Sequence, residues 1–259
     1  MRTVTSEDGT AIAMDVFGTG PPVVMVVGAF NTRATTAPLA EQLQQRFSVF
    51  NYDRRGRGES GDTSPYAVQR EIDDLNAVIA AAGGAAAVFG YSSGATLALR
   101  SAAAGLAVTK LVVYEPPFVV DGSRPPLATD LPERLTALVQ SGRRGDAVEL
   151  YQREAVGIPE PVIAGMRTAP FRPYMEAIAH TLAYDAAIVG DLSLPEPLLA
   201  SLGVPVLALS GEDSPPLLRA AAEAVARTVP TGTLRVLAGQ THDIAPEATA
   251  PVIVEFLAA

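Results

Sequence analysis

The chain has no cysteine and only two histidines, His180 and His242, among its 259 residues. Without cysteine there are no disulfides, no thiolate metal sites and no cysteine nucleophile. Two imidazoles cannot build a multi-histidine metal centre, and they are the only ones available for acid–base work. Positive charge is also scarce: 19 basic residues against 28 acidic ones give a formal net charge of −9, which repels a nucleic-acid backbone. The arginine clusters, Arg54, Arg55 and Arg57 and later Arg143 and Arg144, are too short to make a basic patch. From Met1 to Asp15 no apolar stretch is long enough for a signal peptide or a membrane helix. Cytoplasmic residence is therefore expected, with neither a membrane nor a nucleic acid as partner. A dinucleotide fingerprint and a G-x-x-x-x-G-K-[ST] loop are both missing, so no cofactor is expected.

What is present is a hydrophobic share of 48%, in a length that suits one large domain. Residues 2–17 alternate around Asp8-Gly9 and predict an opening hairpin with a tight turn. Pro22–Val27 is apolar without alternation, which predicts a strand buried on both faces, as in parallel sheets. Short apolar runs return at Phe47–Tyr52, Ala86–Tyr91 and Leu111–Tyr114, with helical periodicity in 34–46, 67–82 and 93–105. Alternating strands and helices imply right-handed crossovers and a doubly wound, mostly parallel α/β sheet.

After Glu115 the rhythm breaks. Prolines 116, 117, 125 and 126 are followed by helical stretches such as Glu133–Val139 and Ala147–Glu154, without a strand candidate. Residues 118–202 are read as a helical cap inserted into a core made of 1–117 and 203–259. The rhythm resumes with a strand at Val204–Leu209, a helix near 215–228, a strand near 233–238 and a closing helix over 246–258.

Gly90-Tyr91-Ser92-Ser93-Gly94 lies where a buried run ends and a small-residue helix begins. A serine at such a corner takes a strained backbone conformation, tolerated because the flanking glycines remove side chains that would collide. The corner lifts the Ser92 hydroxyl above the sheet edge and puts the Ser93 N–H at a helix start, ready to stabilise an oxyanion. A small-residue turn that merely packs a helix against a strand is the plain alternative; the strand-before, helix-after context favours a nucleophile. Ser93 lies off the apex.

With this turn, and with Asp53-Arg54-Arg55-Gly56-Arg57-Gly58-Glu59-Ser60 matching a D-x-R-G-x-G-x-S loop, the chain resembles the α/β-hydrolase superfamily over nearly its whole length. The resemblance implies an eight-stranded sheet with helices on both faces and a helical cap after the sixth strand. It implies a structural role for Asp53 and Arg55, which brace neighbouring turns. It also makes His242, in the loop before the last helix, the general base. His180, in the cap segment, is read as packed or solvated, at most a pocket-lining residue.

A base of this kind needs an acceptor on its other ring nitrogen. Asp213 holds the family's usual acid position, although the pattern G-x-x-D would put the acid at 214, which is Ser214. Glu115 is the rival, at the end of the strand after the nucleophile helix, where some family members carry their acid. Both remain open, Asp213 being favoured by chain position. The second oxyanion donor is expected from Val27-Gly28-Ala29-Phe30-Asn31, with Ala29 N–H the first candidate; the family commonly has histidine where Val27 stands. Phe30, Asn31 and Tyr91 are candidates to shape the substrate pocket. So are apolar cap residues, among them Val119, Val120, Met166, Phe171, Tyr174, Met175, Ile178 and Leu182.

The expected activity is acyl transfer to water from a small or medium-sized apolar ester, lactone or thioester, through an acyl-serine. Two alternatives stand beside it. One is cofactor-free perhydrolase or haloperoxidase activity on the same triad; the other is a non-hydrolytic binding or scaffolding member, favoured by Val27 and the displaced acid. The partner expected is a small-molecule substrate, and the oligomeric state, a homodimer included, is open.

Overall fold

The computed structural model describes residues 1–259. Its eight strands are β1 (Arg2–Thr5), β2 (Ala11–Phe17), β3 (Pro22–Val26), β4 (Ser48–Tyr52), β5 (Ala86–Tyr91), β6 (Val108–Tyr114), β7 (Val206–Gly211) and β8 (Gly232–Leu237). They form one sheet in the order β1-β2-β4-β3-β5-β6-β7-β8. β2 pairs antiparallel with β1 and β4, and every other pairing is parallel.

The central strands lack polar alternation because both of their faces are covered. Val24, Val26, Val88 and Val113 point to one layer and Val23, Met25, Phe89 and Val112 to the other, all buried. Helices α1 (Arg33–Leu43), α2 (Val68–Ala81) and α3 (Ser93–Ala103) follow β3, β4 and β5. The segment between β6 and β7 carries α4 (Leu131–Gln140), α5 (Arg144–Tyr151), α6 (Glu160–Met166), α7 (Arg172–Ala177), α8 (Leu182–Val189) and α9 (Glu196–Ala200). Then come α10 (Pro216–Thr228) and α11 (Pro246–Ala258). Ile72 and Leu75 of α2, Leu97 of α3 and Val225 of α10 pack on one face of the sheet. Leu39 and Leu43 of α1 and Ile253 of α11 pack on the other. No helix is long and apolar enough to cross a membrane.

The helices between β6 and β7 have a core of their own, built from Leu131, Leu135, Val148, Leu182 and Ala186. Ala29 and Phe30, from the loop after β3, pack against it. That contact joins the helical segment to the strand ends where β3 and β5 hand over to helices.

The opening turn is tight, as expected: the Gly9 N–H donates to Ser6 O at 2.9 Å, Gly9 has φ 85°, and the Ser6 N–H donates to Thr10 O across the hairpin. Two local expectations need correction. β6 starts at Val108, ahead of its apolar run, because Lys110 extends outward and its Nζ donates to the carbonyls of Phe256 and Leu257 at the end of α11. The helix expected through Glu154 ends at Tyr151, where the chain widens into a π-helical turn, Gln152–Val156, closed by Gly157 at φ 83°.

Candidate active site

The β5–α3 corner carries the strain its sequence implies: Ser92 has φ 54° and ψ −123°, outside the regions ordinary residues prefer. Tight packing holds it there. A Cβ on Gly90 would stand 2.7 Å from Ala95 Cα, and one on Gly94 would strike the carbonyls of Val26 and Val27. Gly28 faces the corner from the neighbouring loop, and a Cβ there would stand 2.8 Å from Ser92 Cβ. The Ser92 N–H donates to Tyr114 O at 2.9 Å, tying the corner to β6.

The loop after β3 is held from below by arginines. Arg57 Nη1 donates to Gly28 O at 2.5 Å and to Asn31 O at 3.2 Å, and Arg54 Nη1 donates to Val27 O at 3.2 Å. Both guanidiniums are buried and share Asp185 of α8, at 2.8 Å from Arg54 and 2.5 Å from Arg57. Arg54 makes a second, bidentate pair with buried Glu71. Burial opposes ionisation of Asp185, but the two guanidiniums outweigh it and hold the carboxyl below its ordinary value. Asp185 also accepts the Ser93 hydroxyl at 2.8 Å. One buried carboxylate thus couples the loop after β3, the start of α3 and the helical segment.

With its carbonyls fixed, this loop holds Phe30 at φ 61° with its ring edge-on to Tyr151, centroids 5.5 Å apart. The N–H groups of Ala29 and Ser93 donate to no loop or cap carbonyl. Asn31 is spent on local structure, its amide donating to Ala29 O at 2.6 Å and accepting from the Thr35 hydroxyl at 2.8 Å.

The carboxylate beside His242 is Glu115. It follows β6 at φ 48°, is fully buried, and its Oε2 lies 2.5 Å from His242 Nδ1. Its Oε1 accepts the Gly211 N–H at 2.8 Å. An ionised carboxylate can only accept, so Nδ1 carries the proton and Nε2 is left as the free acceptor. Gly211 makes the approach possible, because a Cβ there would collide with the Gln240 carbonyl of the loop that carries His242. Tyr114 Oη donates to Thr241 O at 2.7 Å, and the Tyr91 ring lies 5.0 Å from the imidazole.

Asp213, the acid favoured by chain position, is exposed, and its backbone rather than its carboxylate touches the histidine loop, through a 2.8 Å bond from its N–H to Gln240 O. The turn after β7 spends its first acid on the same loop, Glu212 accepting the Gly239 N–H at 3.0 Å.

Ser92, His242, Ala29, Ser93, Phe30, Asn31 and Tyr91 all line one cavity of about 400 Å³. The structure thus brings these seven candidates to one cavity, with Glu115 behind His242 and Asp213 facing outward. Of the apolar helical-segment candidates, Met166, Phe171 and Met175 reach the cavity. Leu182 and Ile178 are buried, while Val120 and Tyr174 are exposed. His180 packs against Gly56 rather than the cavity, and burial lowers its basicity. No cluster of three or more His, Asp or Glu side chains forms a set able to hold a metal.

Sequence reasoning singled out Asp53 and Arg55, and they do brace turns: Asp53 accepts the Glu59 N–H at 3.0 Å within its own loop, and Arg55 pairs with Asp8 of the opening turn at 2.9 Å. It missed that Arg54 and Arg57 of the same motif hold the loop after β3. The motif offers all three arginines alike, and only Asp185, far along the chain, distinguishes them. Arg124 and Gln152 on the cavity wall were missed as well, because no local pattern marks them.

Comparison with known proteins agrees with this architecture. A family model described as "Alpha/beta hydrolase family" matches residues 23–254. The crystal structure of an alpha/beta hydrolase from Sphaerobacter thermophilus DSM 20745 is 55% identical, covers 99% of this chain and 100% of that one, and superposes with a TM-score of 0.93. The 2-(acetamidomethylene)succinate hydrolase of Mesorhizobium japonicum is 27% identical over 253 residues, 93% of this chain and 89% of that protein. A thermophilic esterase from Thermogutta terrifontis, 24% identical with 99% and 97% coverage, shares the fold at a TM-score of 0.75. On the match across most of its length, the chain belongs to the alpha/beta hydrolase family.

Proposed function

We propose that this hydrolase transfers an acyl group from a small molecule to Ser92 and then to water. The observation that carries the reading is a serine at a strained strand-to-helix corner sharing one cavity with a histidine whose Nδ1 lies 2.5 Å from a buried carboxylate. In this mechanism Ser92 Oγ attacks the substrate carbonyl while His242 Nε2 takes its proton. Glu115 keeps the ring in the right tautomer and stabilises the imidazolium. The N–H groups of Ala29 and Ser93 receive the developing oxyanion. His242 returns the proton to the leaving group, whose bond to the carbonyl carbon breaks. Water, deprotonated by the same nitrogen, then releases the acid and regenerates Ser92.

The residues from 118 to 202 act as a cap, and its Met166, Phe171 and Met175 favour an apolar acyl or leaving group. An ester, lactone or thioester is the preferred substrate class. The name of the Mesorhizobium relative contains an acetamido group, which brings N-acyl compounds into the comparison.

The test is covalent labelling of the purified protein with a fluorophosphonate, alongside hydrolysis of 4-nitrophenyl esters and the matching anilides. One adduct on Ser92, absent from Ser92→Ala and strongly slowed in His242→Ala, is expected, with esters turned over faster than anilides. A folded wild type that neither labels nor hydrolyses any of these compounds refutes the enzymatic reading.

A further inference from the structure

One charge on the wall of the Ser92 cavity has no part in the acyl transfer. Arg124, half-buried, lines both this cavity and the adjoining surface groove. Its guanidinium donates to two backbone carbonyls, Ala155 O at 3.1 Å and Glu154 O, and to no carboxylate. Of the other arginines in the helical segment only Arg144 shares this, donating to the carbonyls of Glu176 and Ala177 away from the cavity wall. Arg134, Arg153, Arg167 and Arg172, in the same helical segment, each make an ion pair with a glutamate. Arg124 is desolvated without that compensation, and burial lowers its pKa with nothing to pull it back. Room is kept for it: Gly157 has φ 83°, and a Cβ there would stand 2.9 Å from Arg124 Nη1.

A second unsatisfied group lies on the turn that Arg124 grips. Gln152, 1% exposed, opens the π-helical turn and lines the same cavity. Its Oε1 has no partner, and its Nε2 reaches only Met166 Sδ, 3.3 Å away. Thioether sulfur is a weak acceptor, so whichever way the amide is turned, one end lacks a strong partner. A buried polar group left this way is destabilising unless a ligand satisfies it. The only acid on the cavity wall, Asp243, is exposed, follows His242 in the chain and makes no ion pair with Arg124.

We infer that Arg124 and Gln152 form a carboxylate subsite in the Ser92 cavity, so that the substrate bears a carboxylate remote from its scissile carbonyl. This deepens the acyl-hydrolase reading and rests on it. Arg124 supplies the fork of donors that matches a carboxylate, and Gln152 donates to it from Nε2 once its amide is turned so that Nε2, now spent on the weak Met166 sulfur, faces the anion. The apolar wall between this subsite and Ser92 holds the chain that links the two carbonyl groups.

The experiment compares 4-nitrophenyl hemiesters of the dicarboxylic acids from succinic to suberic with their neutral methyl-capped counterparts. At one chain length or more the anionic hemiester is expected to exceed its neutral partner in kcat/KM by about tenfold or more, the worth of one charged hydrogen bond. Arg124→Met should erase that preference through KM, bringing the ratio of anionic to neutral kcat/KM to about one. Arg124→Lys should restore part of it. Absence of an anionic preference at every chain length overturns the subsite. So does an equal loss on both series in Arg124→Met, which is what a purely structural grip on the π-helical turn produces. Fluorophosphonate labelling of Ser92 is read separately. If labelling fails, the acyl-hydrolase reading falls, and the subsite is judged by the free dicarboxylates: a melting-temperature rise in wild type but not in Arg124→Met supports it, and none in either overturns it.

Discussion

Replacing Glu115 by glutamine keeps its volume and removes one acceptor. In the wild type its two oxygens accept from different donors, Oε2 from His242 Nδ1–H at 2.5 Å and Oε1 from the Gly211 N–H at 2.8 Å. Glutamine cannot serve both. With its oxygen toward His242, its NH2 faces the Gly211 N–H, donor against donor. With its NH2 toward His242, the imidazole must present a lone pair at Nδ1 and move its proton to Nε2, where a base needs the lone pair. The structural cost is that of one buried unsatisfied donor, about 1–3 kcal/mol. The catalytic cost is larger, because the wrong tautomer in a serine triad lowers kcat by about 10⁴-fold, or about 5 kcal/mol of barrier. The assay is kcat on a 4-nitrophenyl ester, with denaturant unfolding on the same sample and Asp213→Asn as control. Glu115→Gln is expected to stay folded and lose orders of magnitude, while Asp213→Asn, whose carboxylate is exposed, stays near wild type. The reasoning is refuted if Glu115→Gln keeps more than about a tenth of wild-type turnover, because no triad acid is that dispensable.

Arg57→Met frees the carbonyls of Gly28 and Asn31 and should lower kcat by about 10- to 100-fold, short of the loss of a whole oxyanion donor, with KM little changed in steady-state kinetics. Asp185→Asn should instead appear mainly as lost stability, of the order of 3–5 kcal/mol in urea unfolding, because it leaves two buried guanidiniums short of countercharge. Gly211→Ala drives a Cβ into the Gln240 carbonyl and should displace the His242 loop, costing about 1–3 kcal/mol. Wild-type urea stability together with unchanged His242 ring chemical shifts in that variant contradicts this. A hydrogen bond from Arg55, against the opposing effect of burial, holds the Asp8 carboxyl well below its ordinary value. It therefore contributes stability above the unfolded carboxyl pKa of about 3.9 and loses it as pH falls toward the folded value. Asp8→Asn should flatten the acid limb of a melting-temperature profile and lower the plateau above about pH 5 by no more than about 1 kcal/mol, the surface-pair range. Identical limbs refute it.

Most of the architecture was legible because local patterns carry it. Apolar runs without alternation marked the strands covered on both faces, and Gly90-Tyr91-Ser92-Ser93-Gly94 marked the corner whose geometry forces Ser92 to φ 54°. Strand and helix limits went astray where a polar side chain reaches a distant partner, as Lys110 does at the end of α11. The π-helical turn escaped for a related reason: its length follows from hydrogen bonds that helical period does not encode.

The site divides along the same line. By itself the sequence determined which residues could stand at a strand-to-helix corner and which imidazole follows the last strand, because glycine spacing and strand periodicity are properties of neighbours along the chain. It could not decide between Asp213 and Glu115, since both end parallel strands. Only the tertiary structure separates them, by laying β6 beside β7 so that Glu115 turns under the His242 loop at bare Gly211, while Asp213 turns to solvent. Asp185 beneath the loop after β3, and Arg124 on the cavity wall, were likewise decided by folding. Burial and charge pairing join residues more than a hundred positions apart, and no local pattern records that distance.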